Sequence, residues 1–131
     1  MPDATLAKKL RILLGNRLLL LHAPDSYRAV LALPEGVTVE TDPAGSYDVV
    51  QLFARTLADV DRDLPAAIAA TRPRGMLWIA WPKKTAKLPT DLTRDALWPR
   101  VHEAGWSGVA AISLDETWSA LRFRPNDEVG R

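Results

Sequence analysis

Apolar residues along this chain come in two rhythms, one helical and one strand-like, and they alternate. Leu6, Leu10, Leu13 and Leu14 recur at helical spacing behind a candidate cap, Thr5, and Gly15-Asn16 ends the pattern as a turn. RLLLLHAP, residues 17–24, is nearly continuous and bounded by turn residues, which predicts a central parallel strand covered on both faces. Pro24, Asp25 and Ser26 open a second helix carrying Tyr27, Val30 and Leu31. LPEG (33–36) stops it before the short strand VTVE. VVQLFA, residues 49–54, is a third strand. Thr56 and Asp59 have the spacing of a capping box for a helix carrying Leu57, Val60, Leu64 and Ile68, which Pro65 kinks or divides. RPRG then leads into a fourth strand, MLWIAW (76–81). A long loop follows, and Thr90 or Asp91 caps a helix through Leu92, Leu97, Val101 and His102, ended by Gly105 and made irregular by Pro99. SGVAAISLDETWSALRFRP has room only for a tight turn at Asp115-Glu116, so it predicts an antiparallel hairpin. From Pro125 to Arg131 the chain is polar and reads as a frayed tail.

Alternating helices and strands closed by a hairpin specify a three-layer α/β sandwich, its sheet mostly parallel. With 131 residues, this is expected to be one domain. The longest apolar runs are too short for a membrane span, and the N-terminus reads as a folded element without the apolar core of an export signal, so a cytoplasmic protein is expected. A formal net charge of +1 supplies no field to steer nucleic acid or an anionic membrane. The chain has no cysteine, which removes thiolate chemistry and sulfur-ligated zinc; with His22 and His102 the only histidines, no metal site is expected.

GNRLLLLHAP, DVVQLFA, RPRGMLWIAWPKK and DETWSALRF, in that order, resemble a shortened class I methyltransferase-type Rossmann domain. More closely, LLLLHAP, LWIAWPKK, TDLT and DETWSALRF together resemble an uncharacterised bacterial family known as a domain of unknown function, over residues 5–124. The resemblance implies the fold and brings no established activity with it.

In an open parallel sheet, ligands bind beyond the carboxyl ends of the strands. Those ends are His22, Glu40, Arg55, the stretch from Trp81 to Lys84, and the hairpin turn from Asp115 to Trp118. The first turn, His22-Ala23-Pro24-Asp25, lacks the glycines that let backbone approach a nucleotide, Pro24 removes an amide donor and Asp25 adds negative charge. On that ground no cofactor is expected, neither S-adenosylmethionine nor NAD. Glu40 stands where a ribose-binding carboxylate belongs, or is only an exposed strand end. Lys83 and Lys84 can bind an anion, pair with Asp115 or Glu116 of the hairpin turn, or be merely solvated. Trp78 and Trp81 must face opposite sides of the sheet, Trp78 under a helix and Trp81 in the core or walling a pocket. Trp118 shares a strand face with Ala120, Arg122 and Arg124, which suggests a place near the sheet surface with cationic neighbours, although for each of these tryptophans core packing is favoured over a ligand platform or partner anchor. No serine sits in a nucleophile elbow. His22 is the one general-base candidate, with Asp25 or Asp115 to orient it, although a structural histidine fits as well. The residues thus favour a non-catalytic Rossmann-like module that binds a protein partner or a small anionic ligand through Lys83, Lys84 and Asp115, Glu116 and Trp118, with oligomerisation through the hairpin edge compatible with that. The alternative is a small transferase or hydrolase acting on an anionic substrate, with Lys83 and Lys84 binding the charge and His22 or Asp115 handling protons.

Overall fold

The computed structural model describes residues 4–126, with the backbone alone for residues 4, 5 and 28–30. The side chains of the expected cap Thr5 and of Val30, and the tail from residue 127, lie outside the described residues. Four helices, α1 (Ala4–Lys9), α2 (Asp25–Val30), α3 (Leu57–Ala70) and α4 (Arg94–Glu103), surround six strands, β1 (Arg17–Leu21), β2 (Thr38–Glu40), β3 (Tyr47–Phe53), β4 (Thr71–Pro82), β5 (Trp106–Ser113) and β6 (Trp118–Pro125). The sheet order is β2-β1-β3-β4-β6-β5. Strands β2, β1, β3 and β4 are parallel, and the β5–β6 hairpin adds antiparallel through β6. This is the mostly parallel α/β sandwich with a closing hairpin that the pattern predicts.

The apolar run of β1 is explained by burial on both faces. Leu18 and Leu20 join one core with Leu6, Leu10, Tyr27, Trp78 and Trp118, on the side of α1 and α2. Leu19 and Leu21 join the other, with Val60, Leu64, Leu97 and Val101 of α3 and α4. Trp78 and Trp81 fall on opposite faces for the same reason.

Compared with the doubly wound order 3-2-1-4-5-6, the strand outside β2 and its crossover helix are missing. Residues 41–46 alone carry the chain from β2 past β1 to β3. A side-chain hub ties this short connection down: Tyr47 Oη donates to Glu40 Oε1 at 2.9 Å and accepts from the Ala44 amide, while Arg17 Nη2 reaches Glu40 Oε2 at 2.9 Å and Nη1 reaches the Ser46 carbonyl.

Several boundaries depart from the pattern. Helix α1 stops at Lys9, because Arg11 takes a left-handed φ of 62° and the Leu10 carbonyl is needed by Trp78 Nε1. Leu13 and Leu14 consequently leave the helix and stand exposed, while Ile12 is buried. Helix α3 runs undivided through Pro65. Strand β4 starts five residues earlier than expected, with RPRG accommodated as an irregularity against β3. Helix α4 is capped by Thr93, which accepts from the Ala96 amide. Thr90 and Asp91 serve α3 instead: Thr90 donates to the Arg55 carbonyl, and Asp91 accepts from the Leu57 amide at 2.8 Å. Pro125 ends β6, and the Asn126 amide donates to the Gly105 carbonyl, so order extends into the expected tail. No helix among the described residues is long and apolar enough to cross a membrane, and they contain no cluster of metal-ligating side chains.

Candidate functional site

The carboxyl ends of β1, β2 and β3 open onto two adjoining crevices, of about 340 Å³ and about 230 Å³, that share His22 as a wall. His22 has a φ of 61°. A side chain in this left-handed region is uncommon, and at the first turn of a doubly wound sheet the residue that normally supplies special backbone geometry is glycine. The left-handed turn is therefore present here with an imidazole added, whose side chain is 57% exposed.

Helix α3 supplies the partner of that imidazole. His22 Nε2 lies 3.2 Å from Asp63 Oδ2, and Arg62 Nη2 lies 3.0 Å from the same oxygen. Neither Asp25 nor Asp115, the expected orienters, takes this role. The missed partner had a signal: Asp59 and Asp63 are one helical turn apart on the helix that follows β3, so both carboxylates share its crevice side. Asp59 closes the capping box, accepting from the Arg55 and Thr56 amides at 3.1 and 3.2 Å. The Arg55 amide above all, then Thr56 and the Arg62 charge, holds the Asp59 carboxyl below its usual range against the opposing effect of burial.

The larger crevice is lined by Leu20, Ala23, Asp25, Thr41 and Asp42 besides His22. Phe53, Arg55 and Trp118 contribute to the smaller one, with Arg62. Arg55 forms no ion pair among the described residues and lies over the Trp118 ring, 5.9 Å from its centroid. Phe53 meets Trp118 edge-on at 5.2 Å, and Trp118 is 4% exposed. Trp118 is thus core, as favoured from the sequence, as well as crevice floor; of its expected cationic neighbours Arg122 lies over Trp78 instead.

The other expected site residues are occupied elsewhere. Glu40 is tied to Arg17 and Tyr47, and the hydrogen bond from Arg17, followed by that from Tyr47, holds its carboxyl below the usual range. Asp42, two residues later, is the β2-end carboxylate that lines the larger crevice. Trp81 is buried in the core. Lys83 does engage the hairpin turn, but through neither carboxylate: its Nζ donates to the Asp115 carbonyl and to Ser113 Oγ, both at 2.5 Å. The Asp115 carboxylate instead accepts from the Thr117 and Trp118 amides at 2.8 Å, closing the turn. Glu116 and Lys84 are exposed, Lys84 opening a short 3-10 turn.

No family model and no characterised protein sequence matches this chain. Solved structures do. DhpI in complex with S-adenosylhomocysteine superposes with a TM-score of 0.56 at 13% identity, over 83% of this chain and 76% of its own. A SAM-dependent methyltransferase from Thiobacillus denitrificans gives 0.58 at 12% identity over 93% and 90%, and one from Geobacter sulfurreducens 0.58 at 13% over 92% and 89%, both in complex with S-adenosyl-L-homocysteine. The fold is methyltransferase-like. The expectation that no cofactor belongs to it is thereby corrected, because structures of this fold include complexes with S-adenosylhomocysteine. The first turn lacks glycine but keeps the left-handed backbone in His22.

Proposed function

We propose that this chain is a methyltransferase-fold binding domain for a ligand of the S-adenosylmethionine class, seated at the carboxyl ends of β1, β2 and β3. The left-handed His22 turn between two crevices carries the reading. Such a ligand combines ribose hydroxyls with an amino-acid carboxylate. Thr41 and Asp42 would hydrogen-bond the hydroxyls, and Arg55, with no carboxylate of its own, would take the carboxylate in a charge-assisted bond. Phe53 and Trp118 close the floor against water. S-adenosylmethionine, when bound, supplies an activated methyl group. The chain's own residues would bind and orient it. Transfer to an acceptor is a second reading, favoured by His22 standing beside Asp63, an arrangement suited to accepting a proton at the crevice wall.

Calorimetric titration with S-adenosylmethionine, S-adenosylhomocysteine and adenosine tests the proposal. A ligand present at 100 times its Kd raises stability by about 2.7 kcal/mol, so a thermal scan reads the same event independently. Binding by the first two, weakened about tenfold or more in Arg55→Ala and Asp42→Ala and unchanged in Lys83→Ala, is expected. No heat and no thermal shift with any of the three compounds would overturn it.

A further inference from the structure

A second surface, away from the His22 crevices and independent of the reading above, combines features that the fold itself does not use. Leu13 and Leu14 are 66% and 72% exposed, the most exposed large apolar side chains among the described residues. The loop that presents them is braced, with the Leu13 amide donating to Asn16 Oδ1 at 2.8 Å and the Gly15 amide to the Glu35 carbonyl. Beside them lies a crevice of about 520 Å³, its wall apolar at Ile12, Leu13 and Met76 and its rim cationic at Lys8, Lys9 and Arg11.

Positive charge continues behind Met76. Arg122 Nη1 contacts Met76 Sδ at 3.3 Å, and its Nε is buried with no hydrogen-bond partner. Burial, then the charges of Arg11 and Arg124, disfavours the Arg122 cation. None of the ion pairs among the described residues involves Lys8, Lys9, Arg11 or Arg122. Mutually repelling cations around a concave apolar surface are complementary to negative charge carried between apolar side chains.

We propose that this surface, centred on Leu13, Leu14 and Met76 and rimmed by Lys8, Lys9 and Arg11, docks an acidic segment of a protein partner whose apolar side chains enter the crevice. The crevice between Ile12, Leu13 and Met76 favours a peptide segment, because inserted apolar side chains fill a concavity that a lipid surface leaves empty. Carboxylates of the segment would face the rim and relieve the repulsion at Arg122.

Panning a random peptide library on the full chain tests this. Enriched peptides should combine Asp or Glu with large apolar residues. Their affinity should fall about tenfold or more in Lys8→Glu/Arg11→Glu, and similarly in Leu13→Ser/Leu14→Ser, whose exposed positions keep the fold intact. The thermal unfolding midpoint should be unchanged in both variants, which checks folding without reference to the His22 crevices. Peptides without acidic enrichment, or peptides indifferent to both variants, would overturn the proposal. So would sedimentation with phosphatidylserine vesicles that the peptides fail to displace, or a homodimer abolished by Leu13→Ser/Leu14→Ser, which assign the surface to a membrane or a second copy.

Discussion

The strand ends around His22 and the strand end around Lys83 lie on the same rim of the sheet and differ in what their polar groups are bonded to. At the fourth strand end Lys83 and Asp115 turn inward on the hairpin: the ammonium serves a carbonyl and a hydroxyl, and the Asp115 carboxylate closes its own turn. Around His22 the backbone is strained, two crevices are open, and Arg55 has only an aromatic face for company. Basic residues are therefore a poor guide to an anion site in this chain. The better guide is a polar group whose hydrogen-bonding capacity the fold leaves unspent.

Trp118 joins the two regions, since it lies on β6 beside the hairpin turn and also floors the crevice. Truncating it removes a buried aromatic from the core, so Trp118→Ala should cost about 3–5 kcal/mol in urea unfolding and weaken both regions together. A loss under about 1 kcal/mol would mean that the hairpin and the crevice do not share this floor. Asp115→Ala should cost about 2 kcal/mol, the loss of a charged acceptor from two backbone amides. Lys83→Ala, which removes a donor from a partly covered site, should cost about 1 kcal/mol. Arg55→Ala inverts that pattern: its stability change should stay within about 0.5 kcal/mol while ligand binding falls. Stability loss without binding loss at Arg55 would erase the contrast between the two regions.

His22 isolates the conformational part of the contrast. Both His22→Gly and His22→Ala lose the imidazole and its contact with Asp63, so the difference between them reports the left-handed φ alone. The glycine variant should be the more stable by about 1 kcal/mol in chemical denaturation. Equal stabilities would show a relaxed turn, and the resemblance to a glycine turn would then lose its physical basis.

Much of this architecture was legible because burial leaves a periodic trace. Four consecutive leucines in β1 mean two covered faces, and an odd spacing between Trp78 and Trp81 means opposite ones. Contacts distant in sequence leave no such trace. Asp91 capping α3 across 34 residues, Thr93 displacing Thr90 as the α4 cap, and Arg11 ending α1 two residues before Leu13 all depend on tertiary partners. The site was legible only in outline. Strand-end logic brought out His22, Arg55 and Trp118, but the absence of glycine concealed a turn whose φ only the backbone reveals. Glu40 stood at the expected spacing, and its two partners, Arg17 and Tyr47, decided its role.

Glu40 supplies the smallest and most specific test of that last point. Its carboxyl is held below the ordinary value of 4.5, first by the Arg17 hydrogen bond and then by Tyr47. A depressed folded-state value means that the ionised form stabilises the fold above the ordinary value, and that this contribution is lost as pH falls through the folded-state value. Wild-type stability should accordingly decline as pH drops below 4.5, and Glu40→Gln should flatten part of that decline while lowering stability slightly at neutral pH. Because the pair is solvent-exposed, salt should shrink the difference. If Glu40 were instead a ligand carboxylate with no structural partners, the two acid profiles would run parallel and Glu40→Gln would register only in binding.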